Sequence, residues 1–179
     1  MKYAALLRGI NVGGANKVPM PELKTVFENA GFADVSTYIN SGNVIFSSGQ
    51  SDIEALQKKC QDAIFAHFNL DIPVAVISQN NLAAALDNAP SWWDNGPESK
   101  HNAIFIIAPA TTPEIMEQIG ELKPEYELIG SHGQVIFWSA PVATFSRTRL
   151  SKIITTSAYR KITIRNANTT KKLLHLMQK

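Results

Sequence analysis

Apolar and polar positions at the start of the chain predict a strand, a helix and a hairpin. Residues 3–8 form a short apolar run that breaks into a glycine-rich loop, which is typical of a buried strand. Residues 19–30 begin with two prolines suited to a helix entrance and then place apolar side chains at helical spacing. Two β-rich runs, 35–40 and 43–48, are separated by Ser41-Gly42, which predicts a two-residue hairpin turn.

A second helix and a further strand complete this first group. Ser51 and Glu54 have the spacing of a capping box, and an apolar stripe runs behind them as far as Phe68. Residues 72–78 form the next predicted strand, with Pro73 near its beginning. The resulting order, β-α-β-β-α-β, is that of the ferredoxin-like or split βαβ arrangement.

The same kinds of element recur after a linking region. Residues 80–88 predict a short helix, and residues 90–97 form an irregular bridge that contains two of the three tryptophans. The elements predicted after the bridge are a strand at 103–108, a helix beginning at Thr112-Pro113-Glu114, a hairpin of 126–130 and 134–139, a helix at 147–158, a strand at 161–165 and a helix at 168–177.

A local sequence match links the two groups of elements. Residues 41–46, Ser-Gly-Asn-Val-Ile-Phe, resemble residues 132–137, His-Gly-Gln-Val-Ile-Phe, and both fall in predicted hairpins. We interpret this match as an internal duplication. The predicted fold class is α+β, with two tandem ferredoxin-like units (βαββαβ, the alpha-beta plait) and an additional C-terminal helix. The predicted domains are residues 1–79, a helix and linker at 80–100, and residues 101–179.

Composition narrows the class of protein. A chain of 179 residues with 45% hydrophobic and 18% charged content can bury an ordinary core, which excludes disordered and fibrous classes. The apolar run before Arg8 is too short for a signal peptide or a membrane span. The single cysteine, Cys60, cannot form an internal disulfide. Together these features predict a cytoplasmic protein that does not contact a membrane.

Charge is segregated along the chain although the net charge is only +2. From Arg147 to Lys179 there are nine Lys or Arg residues and no Asp or Glu, so all 15 acidic residues precede this segment. A basic segment of this kind can attract an anionic ligand or nucleic acid. It can equally dock on the acidic remainder of the chain, and the sequence leaves both interpretations open.

The predicted topology brings two distant polar segments together. Right-handed crossovers make the first two strands of such a unit parallel, so the loop 8–17 and the turn 40–43 should meet at one edge of the sheet. Cations, amides and a hydroxyl beside a glycine-rich backbone at a helix start suit a small phosphate or carboxylate ligand. We call this polar edge the rim; its residues are Arg8, Asn11, Asn16, Lys17, Asn40, Ser41 and Asn43.

The rim contains no general base, so no catalytic residue can be assigned. Its loop lacks the Gly-Lys-Ser/Thr ending of a P-loop, and Gly9, Gly13 and Gly14 lack the spacing of a dinucleotide-binding fingerprint. The alternative interpretation is a structural loop whose glycines adopt positive φ and whose asparagines bond to backbone groups.

A basic stretch near the C-terminus supplies two more candidate residues. If residues 161–165 are extended, Lys161, Thr163 and Arg165 share a solvated face while the isoleucines face the core. Asn166 and Asn168 can both cap the last helix. We include Arg165 and Asn166 in the predicted ligand-binding set as contributions from the second half of the chain.

The other reactive residue types predict no metal site and assign no cofactor. The histidines, at positions 67, 101, 132 and 175, lie in separate predicted elements without metal-binding spacing. Cys60 belongs to an apolar helical stripe, which favours a buried inert thiol over a nucleophile.

Four segments carry a family resemblance. They are residues 7–14 (Leu-Arg-Gly-Ile-Asn-Val-Gly-Gly), 17–20 (Lys-Val-Pro-Met), 37–46 (Thr-Tyr-Ile-Asn-Ser-Gly-Asn-Val-Ile-Phe) and 165–169 (Arg-Asn-Ala-Asn-Thr). Together they resemble the bacterial family called domain of unknown function 1697 (DUF1697). The resemblance implies paired ferredoxin-like units and an uncharacterised protein, with no activity attached. The family's late motif places a tryptophan between its two asparagines, where this chain has an alanine.

Three functions are compatible with these patterns. The leading hypothesis is binding of, or chemistry on, a small anionic ligand at the rim. The second is nonspecific nucleic-acid binding through the basic C-terminal segment, since neither hairpin carries the aromatic pattern of RNA-recognition units. The third is a structural or protein-interaction module with Trp92 and Trp93 as interface anchors. The oligomeric state stays open.

Overall fold

The protein has a mixed α and β fold. The computed structural model describes all 179 residues and contains two four-stranded antiparallel sheets. The chain divides into two compact units, one of Met1–Leu82 with Leu173–Lys179 and the other of Ala83–Lys172.

Strands and helices alternate along most of the chain. None of the helices is both long and apolar enough to span a membrane. The strands are β1 (Lys2–Leu7), β2 (Ala33–Tyr38), β3 (Asn43–Ser47), β4 (Val74–Ser78), β5 (Ser99–Ile106), β6 (Leu128–His132), β7 (Val135–Pro141) and β8 (Ile162–Asn166). The α-helices are α1 (Met20–Asn29), α2 (Ile53–Phe68), α3 (Gln79–Asp87), α4 (Thr112–Ile119) and the C-terminal α5 (Ala167–Met177).

In the first unit the strand order is β2-β3-β1-β4, and every neighbouring pair is antiparallel. Because β3 lies between β1 and β2, these two strands run in the same direction, as right-handed crossovers require. Helices α1 and α2 bury Phe27 and Ile64 in one apolar core with Phe46 of β3. Apolar burial of this kind is the main favourable term in folding.

The first two helices begin differently. Helix α2 starts after Asp52, whose Oδ1 accepts a hydrogen bond from the backbone N–H of Ala55 at 3.1 Å. The predicted capping residue, Ser51, lies one residue before this cap. Helix α1 starts after Pro19 without any capping side chain. The first backbone N–H groups of α1 are therefore left without a side-chain acceptor.

In the second unit the strand order is β6-β7-β5-β8, again with antiparallel neighbours. Its apolar core joins Ile104 and Ile136 of the sheet to Ile115 of α4. Helix α4 follows Thr111, whose Oγ1 accepts from the backbone N–H of Glu114 at 3.4 Å.

The predicted helix at residues 147–158 is wrong. Hydroxyl side chains in this region bond to carbonyl groups three residues earlier, as Thr148 Oγ1 does to Phe145 O and Thr156 Oγ1 to Ile153 O, both at 2.7 Å. Such bonds compete with the α-helical ladder and favour tighter turns. The segment instead forms three short 3-10 helices, at Val142–Arg147, Leu150–Thr155 and Ser157–Lys161.

Both predicted hairpins are shifted. Strand β2 ends at Tyr38, so residues 39–42 form a four-residue connection to β3 instead of the predicted two-residue turn. In the second hairpin, β6 begins at Leu128, two residues later than predicted, and Gly133-Gln134 forms the turn to β7. Element boundaries depend on pairing between strands, which local propensity does not specify.

The Val-Ile-Phe triplets at residues 44–46 and 135–137 match in sequence, but their corresponding residues point to opposite faces of the two sheets. Val44 and Phe46 belong to the core beneath α1 and α2. In the second unit Ile136 faces the core with α4, so Val135 and Phe137 point to the opposite face. The sequence match is therefore out of register by one residue, and it does not align equivalent positions.

Three of the central strands, β1, β3 and β7, are buried on both faces. Five of the six residues of β1, four of the five of β3 and all but the last residue of β7 are buried. Such continuous burial explains why these strands appear in the sequence as apolar runs instead of alternating patterns.

Candidate functional site

The glycine-rich loop after β1 is a miniature hairpin. Asn11 N donates to Asn16 O at 3.1 Å, and Ala15 N donates to Val12 O at the same distance. The central residues Gly13 and Gly14 have φ values of 59° and 80°. Two successive positive φ angles are typical of a type I′ turn, which favours glycine at both positions.

The side chain of Asn11 joins this loop to the turn between β2 and β3. Its Nδ2 donates to Asn40 O and to Val18 O, each at 2.9 Å, and its Oδ1 accepts from Val18 N at 2.9 Å. The rim loop and the turn therefore meet at one edge of the sheet, as the sequence predicts. The Asn11 amide is used to hold them there.

Two other rim asparagines also bond to the protein itself. Asn43 is fully buried, and its Nδ2 donates to Tyr38 O at 2.9 Å and to Ser41 Oγ at 3.1 Å. Asn16 Nδ2 donates to Gly9 O at 3.0 Å. These bonds favour the structural interpretation for Asn16 and Asn43, because their amide donors already serve the backbone or a neighbouring hydroxyl.

An open cleft of about 360 Å³ lies beside the loop, and we call it the rim cleft. Lys17 and Asn40 are exposed on it, and α1 begins in its wall at Met20. Partial positive charge at an uncapped helix start adds to the Lys17 ammonium. The lining residues are Asn11, Gly14, Lys17, Val18, Pro19, Met20 and Asn40.

Arg8 and Ser41 belong to the rim but not to the lining of the cleft. Arg8 is half-buried, and its backbone N–H donates to Pro73 O at 3.0 Å. Ser41 is half-buried and accepts from Asn43. The structure thus brings Asn11, Lys17 and Asn40 together on one cleft.

Arg165 and Asn166 lie in the second unit. The prediction of a solvated face is wrong for Arg165 and Thr163, which are 7% and 2% exposed. Arg165 Nη1 donates to Thr163 Oγ1 and to Ile164 O, each at 2.9 Å, and burial lowers the pKa of Arg165 to about 10. Asn166 caps α5, because its Oδ1 accepts from Thr169 N at 2.8 Å.

Part of the basic C-terminal segment is neutralised within the second unit. Lys161 forms an ion pair with Glu114, and Lys171 forms one with Asp94. These pairs agree with docking of basic residues on the acidic part of the chain. They leave fewer cations in this unit for an external polyanion.

The second unit contains a polar pair that leaves no local pattern in the sequence. His101 of β5 and Ser139 of β7 are direct partners across the strands, and His101 Nδ1 lies 2.6 Å from Ser139 Oγ. His101 Nε2 lies 2.9 Å from Gly96 O, and because a carbonyl only accepts, Nε2 carries a proton. Only the strand register reveals this pair, since 38 residues separate its members.

The other reactive side chains do not form a nucleophilic site or a metal-binding cluster. Cys60 is fully buried, and burial raises the pKa of its thiol above the ordinary value. No group of three or more His, Cys, Asp or Glu side chains is arranged to hold a metal ion.

Comparison with known proteins identifies the family of the chain. The model of the family described as protein of unknown function (DUF1697) matches residues 1–137, and the chain belongs to this family. A solved structure, that of the conserved bacterial protein SP0830 from Streptococcus pneumoniae, is similar with 31% sequence identity and a TM-score of 0.88. The match covers 98% of each chain. No curated protein matches.

Proposed function

We propose that this DUF1697 chain binds a small anion, phosphate or carboxylate, in the rim cleft of its first unit. The observation that carries the proposal is the position of the Lys17 ammonium on a cleft whose wall contains the uncapped start of α1. A cation and the partial positive charge at a helix start attract the same kind of ligand.

The remaining lining supports binding more than a reaction. Asn40 supplies an amide group, the Asn11 amide already bonds to the backbone of Asn40 and Val18, and no carboxylate or imidazole lines the rim cleft. The one acidic residue in the first turn of α1, Glu22, lies outside the lining and is 3.6 Å from His67 Nε2. Without a carboxylate or an imidazole on the cleft, positioning and electrostatic attraction are the main effects that its side chains can supply.

Titration of the intact chain with inorganic phosphate and with acetate tests the proposal. Backbone amide NMR signals of Gly14 and Met20 should shift and saturate. Lys17→Ala should weaken binding about tenfold, because a hydrogen bond to a charged group is lost. Lys24→Ala is the matched control, since Lys24 is exposed on α1 outside the cleft, and it should bind as the parent chain does.

Two results would contradict anion binding at the rim cleft. One is the absence of saturation by either anion at low ionic strength, where exposed charges attract most strongly. The other is equal weakening by Lys17→Ala and Lys24→Ala, which would indicate a diffuse effect of net charge.

We also propose that both units are ferredoxin-like and derive from duplication. Two pairs of backbone bonds support this: Leu7 N to Gly42 O at 2.8 Å corresponds to Ile106 N to Gln134 O at 3.2 Å. At the next residue of each unit, the bond from Arg8 N to Pro73 O at 3.0 Å corresponds to the bond from Ile107 N to Lys161 O at 2.9 Å. The sheet orders are also the same, with the hairpin strand and the last strand flanking the first.

This correspondence has a functional consequence and a test. The corresponding loop of the second unit, residues 107–111, contains no Lys or Arg. It therefore has no counterpart of Lys17, and we propose a single anion site. The test is an alignment of the first half of each family sequence with its second half. The halves should match better when Leu7 is aligned with Ile106, as the hydrogen bonds indicate, than when Val44 is aligned with Val135, as the hairpin triplets indicate. An equal or better match in the triplet register would contradict duplication in the form proposed.

The nucleic-acid alternative has less support. RNA-recognition units of this topology stack bases on an exposed sheet face. The central strands β1, β3 and β7 are buried on both faces, and Lys161 and Lys171 already pair with carboxylates.

A further inference from the structure

We infer that the second unit contains a separate binding site, centred on His101, for a neutral ring that carries several hydroxyl groups. Two clefts, of about 470 and 280 Å³, share Ser99 and His101 in their walls. The larger volume falls in the range of small-molecule sites, and the smaller lies just below that range. We call the combined space the His101 cleft. All its lining residues belong to the second unit, so it is distinct from the rim cleft.

His101 forms a rigid wall of this site. Its Nε2–H donates to Gly96 O at 2.9 Å and its Nδ1 lies 2.6 Å from Ser139 Oγ, so both ring nitrogens are engaged. His101 lies on β5 and Ser139 lies on β7, where the two residues are direct cross-strand partners. His101 therefore contributes to the shape of the cleft, and both of its ring nitrogens are already bonded.

Trp92 supplies an aromatic surface on the smaller cleft. It lies over Gly130 of β6, where a Cβ would come 2.8 Å from Pro90 Cγ and 3.5 Å from Trp92 Cζ2. The absence of a side chain at Gly130 thus lets the segment that carries Trp92 approach the strand. Tyr126 lines the same cleft. Aromatic faces of this kind accept the C–H or π face of a ring.

The charge of the lining disfavours an anion. No Lys or Arg lines either part of the His101 cleft, whereas Asp94, Glu125 and Glu127 do. Asp94 is neutralised by Lys171, and the Glu127 carboxylate accepts from the backbone N–H groups of Arg149 at 2.7 Å and Leu150 at 3.2 Å. With two of the three carboxylates engaged, a cation gains little either, and a neutral ligand fits best.

The polar side chains on the cleft suit hydroxyl groups. Ser99 lies on both parts, Asn168 on the larger and Asn95 on the smaller. Amides and hydroxyls both donate and accept, as ligand hydroxyls do. Asn166 already caps α5 through its Oδ1, so Asn168 is the better candidate for ligand contact at this end. A sugar and a nucleoside share the required chemistry of a ring face with hydroxyls.

Calorimetric titration of the intact chain with methyl glucoside and with adenosine tests the inference. At least one of these neutral probes should saturate, and comparison of the two distinguishes a sugar from a nucleoside. Asn168→Ala and Trp92→Leu should each weaken binding about tenfold. Ser99→Ala removes only a hydroxyl and should also weaken binding, which keeps the test informative if Trp92→Leu fails to fold. Asn88→Ala, at the end of α3 and away from the cleft, should bind normally.

The outcomes separate this site from the rim cleft. Lys17→Ala should leave binding of the neutral probe unchanged, whatever it does to phosphate binding. Saturation by neither probe would overturn the inference, as would equal affinity in the parent chain, Asn168→Ala and Ser99→Ala. Tighter binding of AMP than of adenosine, measured in the Lys17→Ala background, would overturn the assignment of a neutral ligand.

Discussion

The side-chain amide of Asn11 donates to the backbone carbonyl of Asn40 at 2.9 Å across a separation of 29 residues. The same amide group exchanges two further bonds with the backbone of Val18. One side chain therefore connects the rim loop, the entrance to α1 and the turn after β2.

Replacing Asn11 should loosen this edge of the sheet. We expect Asn11→Ala to lower the free energy of unfolding by about 2–3 kcal/mol, because three hydrogen bonds are lost and because alanine disfavours the positive φ of 55° at this exposed position. The urea midpoint measures the change. Asn29→Ala, an exposed position at the end of α1, is the control and should keep the parent midpoint. Equal midpoints for both variants would show that the Asn11 bonds do not stabilise the fold.

Gly42 should tolerate no side chain. Its φ is +80°, and a Cβ would lie 2.7 Å from Ile10 Cδ1 and 2.8 Å from Leu7 Cβ, so Gly42→Ala should cost about 2–4 kcal/mol. Gly133 has a φ of +56° with open space around it, so Gly133→Ala should cost only about 1–2 kcal/mol of backbone strain. Thermal unfolding of the two variants separates steric crowding from strain, and similar losses would rule out crowding at Gly42.

Cys60 should resist alkylation in the folded protein. Burial removes access and raises the pKa of its thiol, so little thiolate forms near neutral pH. Iodoacetamide should modify it only as urea unfolds the chain. A variant that combines Cys60→Ala with Ala66→Cys moves the thiol to an exposed position on α2 and should react in native buffer. Fast modification of native Cys60 would reveal local opening of α2.

The ion pair of Glu114 and Lys161 should make stability depend on pH. The hydrogen bond from Lys161 holds the pKa of Glu114 below its ordinary value of 4.5. A lowered carboxyl pKa stabilises the folded state above pH 4.5, and the contribution is lost as pH falls through the folded value.

Urea midpoints at several pH values measure this contribution. The parent should exceed Glu114→Gln at neutral pH, and the difference should shrink in acid. Glu117→Gln, on the exposed side of the same helix, is the control, and its difference from the parent should be smaller. A constant difference between parent and Glu114→Gln across the acidic range would argue against the pair.

Much of the candidate site could be predicted because it depends on topology. Crossover handedness brings the loop after β1 to the turn after β2, and Asn11 bonds to Asn40 at that point. The roles within the rim depended on atoms that the sequence does not place. Asn16 and Asn43 are used internally, and the cation on the cleft is Lys17 and not Arg8.

The His101 cleft could not be predicted from the sequence, for a related reason. His101 and Ser139 meet through strand register, and Trp92 packs closely over Gly130, where a side chain would clash with Pro90. Neither relationship leaves a local pattern, because register follows from which side chains fit across the sheet.

The sequence by itself determined the elements whose causes are local. Apolar stripes predict α1 and α2, and the glycines after β1 indicate a loop that can adopt positive φ, because periodicity and glycine freedom act over a few residues. Tertiary structure decided which face each strand turns inward. Val44 and Val135 occupy matching places in similar triplets yet point to opposite faces, because burial depends on the element packed against a strand and a slip of one residue exchanges the faces.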